Sequence, residues 1–563
     1  MLSFTRLARR ICDIVGNAAE DTLDNGGRVV AMAASTRQLH SRLKAYAAVE
    51  TKPEFLANMV DAVDEFKRCC ITPGDLRRAS EETEGSLAQK LEELSLILES
   101  YDAICQQGKR DPRSQMTWVL EQLEDLDFAE NHVFYIDGFP DFTRQHMAIL
   151  EHLITHSPQV TVSLNCDQME PRDPAFETAG RTARELLQAA SRLGVQVHIQ
   201  LVAEREDALQ PVRHALFSGG IDRIQPGKQL QLFRAGSIHQ ECQAVAQQII
   251  ERIRQGARYR DMAVICPDPA AYFSVLRLVF GKNEIPLYLA GTEDILCSGA
   301  ITTVLTAFDV AANGFQQRDV LHYIRSALSP LTPDQADRLE NYAVIWAING
   351  DNWVREWTMH PQGLSGLWDE ENKSYLGELN RLRALVMDPL NLLRRGICDA
   401  VRLEEMVRSL YQFLETVHFA ERMEEMAQSM DASGDNRSAQ ILNQLWEILL
   451  GALEQLYAVL GSTAWEKDAF IRLLRLLLSQ YDVGTIPPVL DAVTVGSVSA
   501  MRCQQAKHLL VLGACEGALP GYGGSSGILT DQERVALRQM GVPLTGGAME
   551  GIQAEFAEIY GVF

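Results

Sequence analysis

The sequence predicts an α/β fold, with two parallel-sheet lobes that carry large helical insertions. Two observations lead there. Short β-branched and aromatic runs ending in glycine-bearing turns alternate with segments of helical period, the order from which parallel sheets are built. A long block in which strand signals vanish, 301–485, then separates two sets of such runs, as an inserted domain would. At 563 residues the chain exceeds what one apolar core serves, and several units are expected at about 150 residues per domain. The expected divisions are a first lobe over 1–220, helical to about 130 and α/β beyond; the start of a second lobe over 221–300; the helical insertion over 301–485; and the remainder of the second lobe over 486–563.

Taken in order, residues 53–69 place Phe55, Met59, Val63 and Phe66 on one helical face, with Pro53 suited to a first turn. Leu91, Leu94, Leu98 and Tyr101 repeat the pattern over 87–104. The period then shortens: 132–136 and 159–164 read as strands with a helix over 141–156 between them, followed by a helix over 178–193 and a strand over 195–199. Gly219-Gly220 and Pro226-Gly227 mark a boundary. Beyond it come a strand over 230–234, a helix over 238–255, a strand over 262–266 and a helix over 271–280. Inside the helical block Ile441, Leu445, Ile448, Leu449, Ala452, Leu456 and Val459 form one apolar stripe. Glu404, Glu405, Glu421, Glu424 and Glu425 read as a solvated face.

The most specific local pattern lies at 491–531. Two apolar runs, 493–495 and 508–512, each break into a glycine-bearing loop. The first loop carries Gly496, Ser497 and Arg502; the second carries Gly513, Glu516, Gly517 and Pro520. Strands that end this way offer backbone amides and a few charges to a phosphate-bearing ligand, although a strand followed by a tight turn has the same appearance. A Walker A loop, GxxxxGK[ST], is not found: the Gly-Lys pairs at Lys109, Lys228 and Lys282 are followed by Arg, Gln and Asn, which lack the magnesium-binding hydroxyl. VFYIDGFPDFT at 133–143 has the form of a Walker B strand delivering Asp137 at its carboxyl end, with Gly138 where a water-orienting glutamate would stand. Asp137 therefore reads either as the remnant of a nucleotide site with an impaired hydrolytic half or as part of an Asp-Gly turn.

His152 and His156 have a zinc-compatible spacing but lack the glutamate of HExxH and an evident third ligand, so no metal site is expected. No Ser-His-Asp set stands out, and no catalytic residue is assigned. SFTRLARRI at 3–11 combines Phe4 for stacking with Arg6, Arg9 and Arg10 for phosphates, which suits single-stranded DNA as well as it suits the basic face of an amphipathic helix.

Composition narrows the field. Hydrophobic residues at 46% and charged residues at 23%, without an apolar run of 18, describe a soluble protein with no membrane role. MLSFTRLARR has no apolar core after its arginines, so export is not expected and a cytoplasmic location is. Eleven cysteines without a CxxC fit buried thiols in a reducing compartment. A net charge of −23 excludes a surface that is basic throughout, yet it leaves room for one basic channel.

Several segments occur together and in order: SFTRLARR at 3–10, EFKRCCITPGDLRR at 65–78, YIDGFPDFT at 135–143, ECQAVAQQIIERIRQGARYRDMAVI at 241–265, LENYAVIWAINGDNW at 339–353, IPPVLDAVTVGSVSAMR at 486–502, VLGACEGALPG at 511–521, GILTDQER at 527–534 and EFAEIY at 555–560. In this arrangement the chain resembles the AddB family, the second subunits of bacterial AddAB helicase–nucleases, whose helicase-like part is of the UvrD/RecB type. The resemblance implies two RecA-like lobes and a role in processing double-strand DNA breaks for recombinational repair, beside an AddA-type motor subunit. It also implies recognition of the Chi sequence in single-stranded DNA, and ATP, Mg2+ and a 4Fe-4S cluster in the full-length protein. The family's glycine-rich loop would precede Met1 and its nuclease domain would follow Phe563, so an internal fragment is expected, one that neither hydrolyses ATP well nor cuts DNA. By resemblance Phe4 and Arg6 lie on the path of the single strand, with Arg9 where an aromatic is frequent. Arg502, Gly496, Glu516 and Gly517 fall in the motif loops of the second lobe, with Arg502 counted among the DNA contacts. The alternatives are a non-enzymatic helical scaffold for protein partners and an autonomous superfamily 1 DNA helicase.

Overall fold

Ser3 opens the first helix: its side chain accepts from Arg6 N at 3.2 Å, and Gly16 in the left-handed region closes α1, Phe4–Val15. Residues 3–562 are described by the computed structural model apart from 17–21, 50, 51, 108, 109, 167, 170, 172, 203–209, 212–229, 291, 292, 365, 485–489, 499, 500, 502–505, 520 and 522–526. Helices α2 (Asn25–Gln38), α3 (Pro53–Arg68), α4 (Pro73–Glu81), α5 (Ser86–Gln107) and α6 (Gln115–Glu124) follow. The chain then forms β1 (Val133–Ile136), α7 (Arg144–His156), β2 (Gln159–Val162) and α8 (Pro174–Leu193). The two strands pair in parallel, from Val133 opposite Gln159 to Ile136 opposite Val162. Leu7, Ala8 and Ile11 of α1 pack with Val119, Leu123, Ile149 and Leu153 to cover one side of this sheet. The first helix is thereby part of the α/β unit and not an arm projecting from it.

The second α/β unit is built from α9 (Ile238–Arg254), β3 (Met262–Ile265), α10 (Pro269–Lys282) and β4 (Leu287–Ala290). A short strand, β5 (Glu293–Asp294), leads into the helical block: α11 (Gly299–Ala312), α12 (Gln317–Ile324), α13 (Pro333–Ile345), α14 (Glu370–Asp399), α15 (Leu403–Thr416), α16 (Phe419–Ala432), α17 (Asn436–Leu460) and α18 (Lys467–Leu478). The chain returns through β6 (Asp482–Val483), which pairs antiparallel with β5. This two-stranded ribbon joins the helical block to the sheet. Then come β7 (Val493–Gly496), β8 (His508–Val511), α19 (Asp531–Gln539) and α20 (Ala548–Val562). The four-stranded sheet has the order β4-β7-β3-β8, all parallel, so strands from both sides of the helical block interleave in it. The fold class expected from the sequence, α/β with parallel sheets and large helical insertions, is the one observed.

Strands expected at 195–199 and 230–234 do not form. The alternation is there, but Val197, Ile199, Leu232 and Phe233 stand exposed. An alternating segment becomes a strand only where a neighbour supplies hydrogen-bonding partners.

One apolar core runs from Val29 and Phe66 to Phe308, Tyr342, Phe413 and Leu474, so helices of 25–107 and of 299–478 pack as a single mass. Its centre is α2, capped by Asp24, which accepts from Gly27 N at 2.6 Å, Tyr481 Oη at 2.9 Å and Gln455 Nε2 at 2.8 Å. A buried ionic network lies beside it. Arg28 pairs with Asp64, and Lys67 reaches Asp102 at 2.7 Å and Asp111 at 3.2 Å. At the other end of the chain α19 docks on α3 and α5, where Arg534 grips both oxygens of Glu65 and Lys90 pairs with Glu533 at 2.7 Å. Helix α20 packs on α8, with Tyr560 edge-on to Phe176 at 4.7 Å. Among the described residues no helix is long and apolar enough to cross a membrane.

Candidate nucleic-acid interface

Phe4 is half-buried on the first turn of α1, and three aromatic side chains surround it. Its ring stacks on His146 at 4.1 Å with an interplanar angle of 14°, and meets Phe139 edge-on at 5.4 Å and Phe142 edge-on at 6.3 Å. The local sequence explains this gathering. Gly138, at φ +81°, turns the chain sharply at the end of β1 and brings Phe139 back over the helix. Thr143 then accepts from His146 N at 3.2 Å, starting α7 with Phe142 and His146 on either side of its cap. Burial holds the His146 imidazole below its ordinary pKa; the Asp141 carboxylate opposes this and the Arg68 guanidinium adds to it. The ring is therefore neutral at pH 7. Arg6, Arg9 and Arg10 are exposed and form no ion pair with a described residue. An aromatic cluster beside free guanidinium groups is the chemistry that grips single-stranded nucleic acid: bases stack and phosphates pair.

Asp137 is exposed at the carboxyl end of β1 and accepts a hydrogen bond from Ser163 Oγ at the matching end of β2. Phe4, Arg6 and Asp137 thus belong to one α/β unit, Phe4 reaching the strand's end through Phe139. Gly496, Glu516 and Gly517 belong to the other unit, at the carboxyl ends of β7 and β8. Gly496 is buried, and its carbonyl accepts from Cys266 N at 3.0 Å. Glu516 is exposed, and Gly517 adopts φ +82°. Arg502 lies outside the described residues. The loop carrying Gly517 also touches the first unit through α20: Leu519 packs with Ala175 and Ile559, and Gly521 N donates to Glu555 at 2.8 Å.

Sequence reasoning did not single out Glu241, which organises the second sheet's loops. From the first turn of α9 its carboxylate accepts from Gly513 N at 2.6 Å and from Tyr272 Oη at 2.7 Å. Burial and this carboxylate both push the Tyr272 phenol pKa up. The available signal was the acid at the start of an amphipathic helix directly before a buried strand. Phe139, Phe142 and His146 were also missed as partners of Phe4. His152 and His156 form a stacked pair with ring centroids 4.3 Å apart; among the described residues no group of three or more His, Cys, Asp or Glu side chains could hold a metal ion.

Two parallel sheets, one interrupted by a helical block, together with strand-end loops make this a helicase-like α/β protein. The family described as "ADDB, N-terminal" matches residues 1–213. The chain is 26% identical over 567 residues to the B subunit of the ATP-dependent helicase/deoxyribonuclease of Clostridium acetobutylicum, covering 97% of this chain and 49% of that protein. With the protein of the same name from Thermoanaerobacter sp. strain X514 it shares 28% identity over 561 residues, again 97% and 49%. For Desulforamulus reducens the identity is 26% over 583 residues, 100% and 50%. Its first 213 residues thus match the N-terminal model of that family, and nearly the whole chain is similar to these B subunits. It spans about half the length of the curated relatives it matches.

Proposed function

We propose that this chain is a DNA-binding, helicase-like part of the B subunit of an ATP-dependent helicase–nuclease that processes double-strand DNA breaks for recombinational repair. In this reading the first α/β unit holds single-stranded DNA and takes part in recognising a Chi-like sequence. The observation that carries it is the Phe4 cluster, with three aromatic neighbours and exposed arginines on the same helix. The relatives' shared name supports DNA as substrate, ATP dependence and the existence of a companion subunit. The companion is an AddA-type helicase–nuclease subunit, the complex is a cytoplasmic heterodimer, and Mg2+ and a 4Fe-4S cluster serve the assembled enzyme. Asp137 is a remnant of a nucleotide site, and the loops at Gly496, Arg502, Glu516 and Gly517 hold DNA or the contact between lobes.

A salt titration of oligothymidylate binding, followed by fluorescence anisotropy with and without the companion subunit, tests this reading. Phe4→Ala is expected to weaken binding by about 5- to 150-fold, the range for one lost stacking contact. Arg6→Ala is expected to lower the salt slope by about 0.7, the effect of one phosphate contact on a single strand. Absence of binding even with the companion present would overturn the proposal.

A further inference from the structure

The surface beside the Phe4 cluster continues into a second group of cations. Gln145, buried next to His146, donates through Nε2 to Arg113 O at 2.9 Å and to Thr117 Oγ1 at 3.1 Å, so the start of α7 lies against the turn that carries Arg113. Arg113 Nε in turn reaches Asp64 Oδ2 at 3.0 Å. Arg68 approaches the same residue, with Nε 3.3 Å from the Asp64 carbonyl and the guanidinium 3.9 Å from its carboxylate. The side chains of Arg68 and Arg113 are 46% and 45% exposed, so each is anchored at its inner edge while its outer edge faces water. Arg144, exposed on the first turn of α7, has no ion-pair partner among the described residues. It lies close enough to Cys69 and Cys70 to pull both thiol pKa values down, against the burial that pushes Cys69 up to about 11.

The local acids do not cancel this charge. Asp64 is buried and already neutralised by Arg28, and Glu65 is held by Arg534 and Thr545. Asp111, beside Arg113, is buried and paired with Arg28 and Lys67, while Asp61 lies near Arg68 and Asp141 near His146. On a chain of net charge −23 a run of three guanidinium groups leading away from an aromatic cluster is a local exception.

We infer that Arg144, Arg113 and Arg68 form a phosphate track that receives the nucleotides leaving the Phe4 cluster, with buried Asp64 as the positioning residue that aims Arg113 and Arg68 outward. This inference rests on the single-strand reading of the Phe4 cluster and adds to it a direction and a length for the bound strand. A base or two at Phe4 sets the register; the track then binds backbone and is indifferent to sequence.

The test compares oligothymidylates of about 5 and about 15 nucleotides, the span of typical single-strand sites, on the full chain with its companion subunit. Arg144→Ala carries little folding risk because the residue is exposed. It is expected to leave the short oligonucleotide's affinity unchanged and to lower the salt slope for the long one by about 0.7. The Arg68→Gln, Arg113→Gln, Arg144→Ala triple variant is expected to lower it by about 2, with Arg113→Lys restoring the slope contributed at that position. Thermal melts of each variant confirm that the fold survives. If the wild type binds both lengths and the variants keep its slope for the long one, the track is wrong while the Phe4 reading stands. Failure of the wild type to bind either length would overturn both.

Discussion

The two parallel sheets of this molecule end in loops of similar appearance but treat their polar groups differently. In the first sheet the two strands alternate between exposed and half-buried residues, and Tyr135 is 75% exposed. Arg6, Arg9 and Arg10 on α1 and Arg144 on α7 form no ion pair with a described residue. In the second sheet all four residues of β3 are buried, and the carboxylate of Glu241 is occupied by Gly513 and Tyr272. A polar group whose hydrogen bonds are made internally contributes stability and shape, whereas one left unpaired at the surface is available to a ligand. Within the proposed function this difference favours single-strand contact in the first unit and the contact between lobes for the loops of the second, although the glycine loops of the second are the ones whose sequence suggests a phosphate site.

The largest expected effect comes from breaking the framework. Glu241→Ala removes an acceptor from Gly513 N and from the Tyr272 hydroxyl and is expected to destabilise the protein by about 2–4 kcal/mol, the cost of losing hydrogen bonds to a charged group. Glu241→Gln, which keeps one acceptor oxygen, should recover part of that loss. Urea denaturation measures it, and single-strand affinity of the folded protein should be unaltered. A parallel fall in affinity would place the second sheet's loops in the DNA interface and undo the contrast. A smaller effect is expected at Gly513, where φ is +62° and an added Cβ would sit 3.0 Å from the Tyr272 hydroxyl and 3.2 Å from Pro267. Gly513→Ala should cost about 1–3 kcal/mol through backbone strain and crowding, again without a change in DNA affinity.

What the sequence made legible follows from range. Helices announced themselves through apolar spacing, and the stripe from Ile441 to Val459 lies within α17. The strands 133–136, 262–265, 493–496 and 508–511 were readable because each is short, apolar and ends in a turn. The segments 195–199 and 230–234 misled because period-two alternation records which side chains could share a face, and a ladder depends on a neighbour far away in the chain. The candidate site was half legible for the same reason. Phe4 and Arg6 stand in a recognisable segment, but the rings that surround Phe4 lie more than a hundred residues along the chain, and only the Gly138 turn brings them back. Glu241 holds Gly513 across a sequence separation of 272 residues, and no local pattern encodes that contact.

The smallest expected effect is a pH dependence that separates the two sheets. His146 in the first unit and His508 on β8 both have pKa values lowered chiefly by burial. For each, the unfolded chain takes up a proton at higher pH than the folded protein does. The stability conferred by the neutral ring is therefore complete above the ordinary imidazole value and is lost as pH falls through the lower folded value. Denaturation midpoints should drop between about pH 7 and about pH 5. His146→Phe keeps a ring stacked on Phe4 but cannot titrate, so it should flatten its share of that drop while leaving stability at neutral pH nearly unchanged. It should also remove any acid-induced change in oligothymidylate affinity at the Phe4 cluster, because a protonated His146 would alter the charge directly behind the stacking ring. His508→Phe should flatten the stability profile without touching the affinity profile, since its ring belongs to the framework sheet. If His508→Phe changes binding, or His146→Phe leaves an acid-dependent affinity intact, contact and framework are not divided between the sheets.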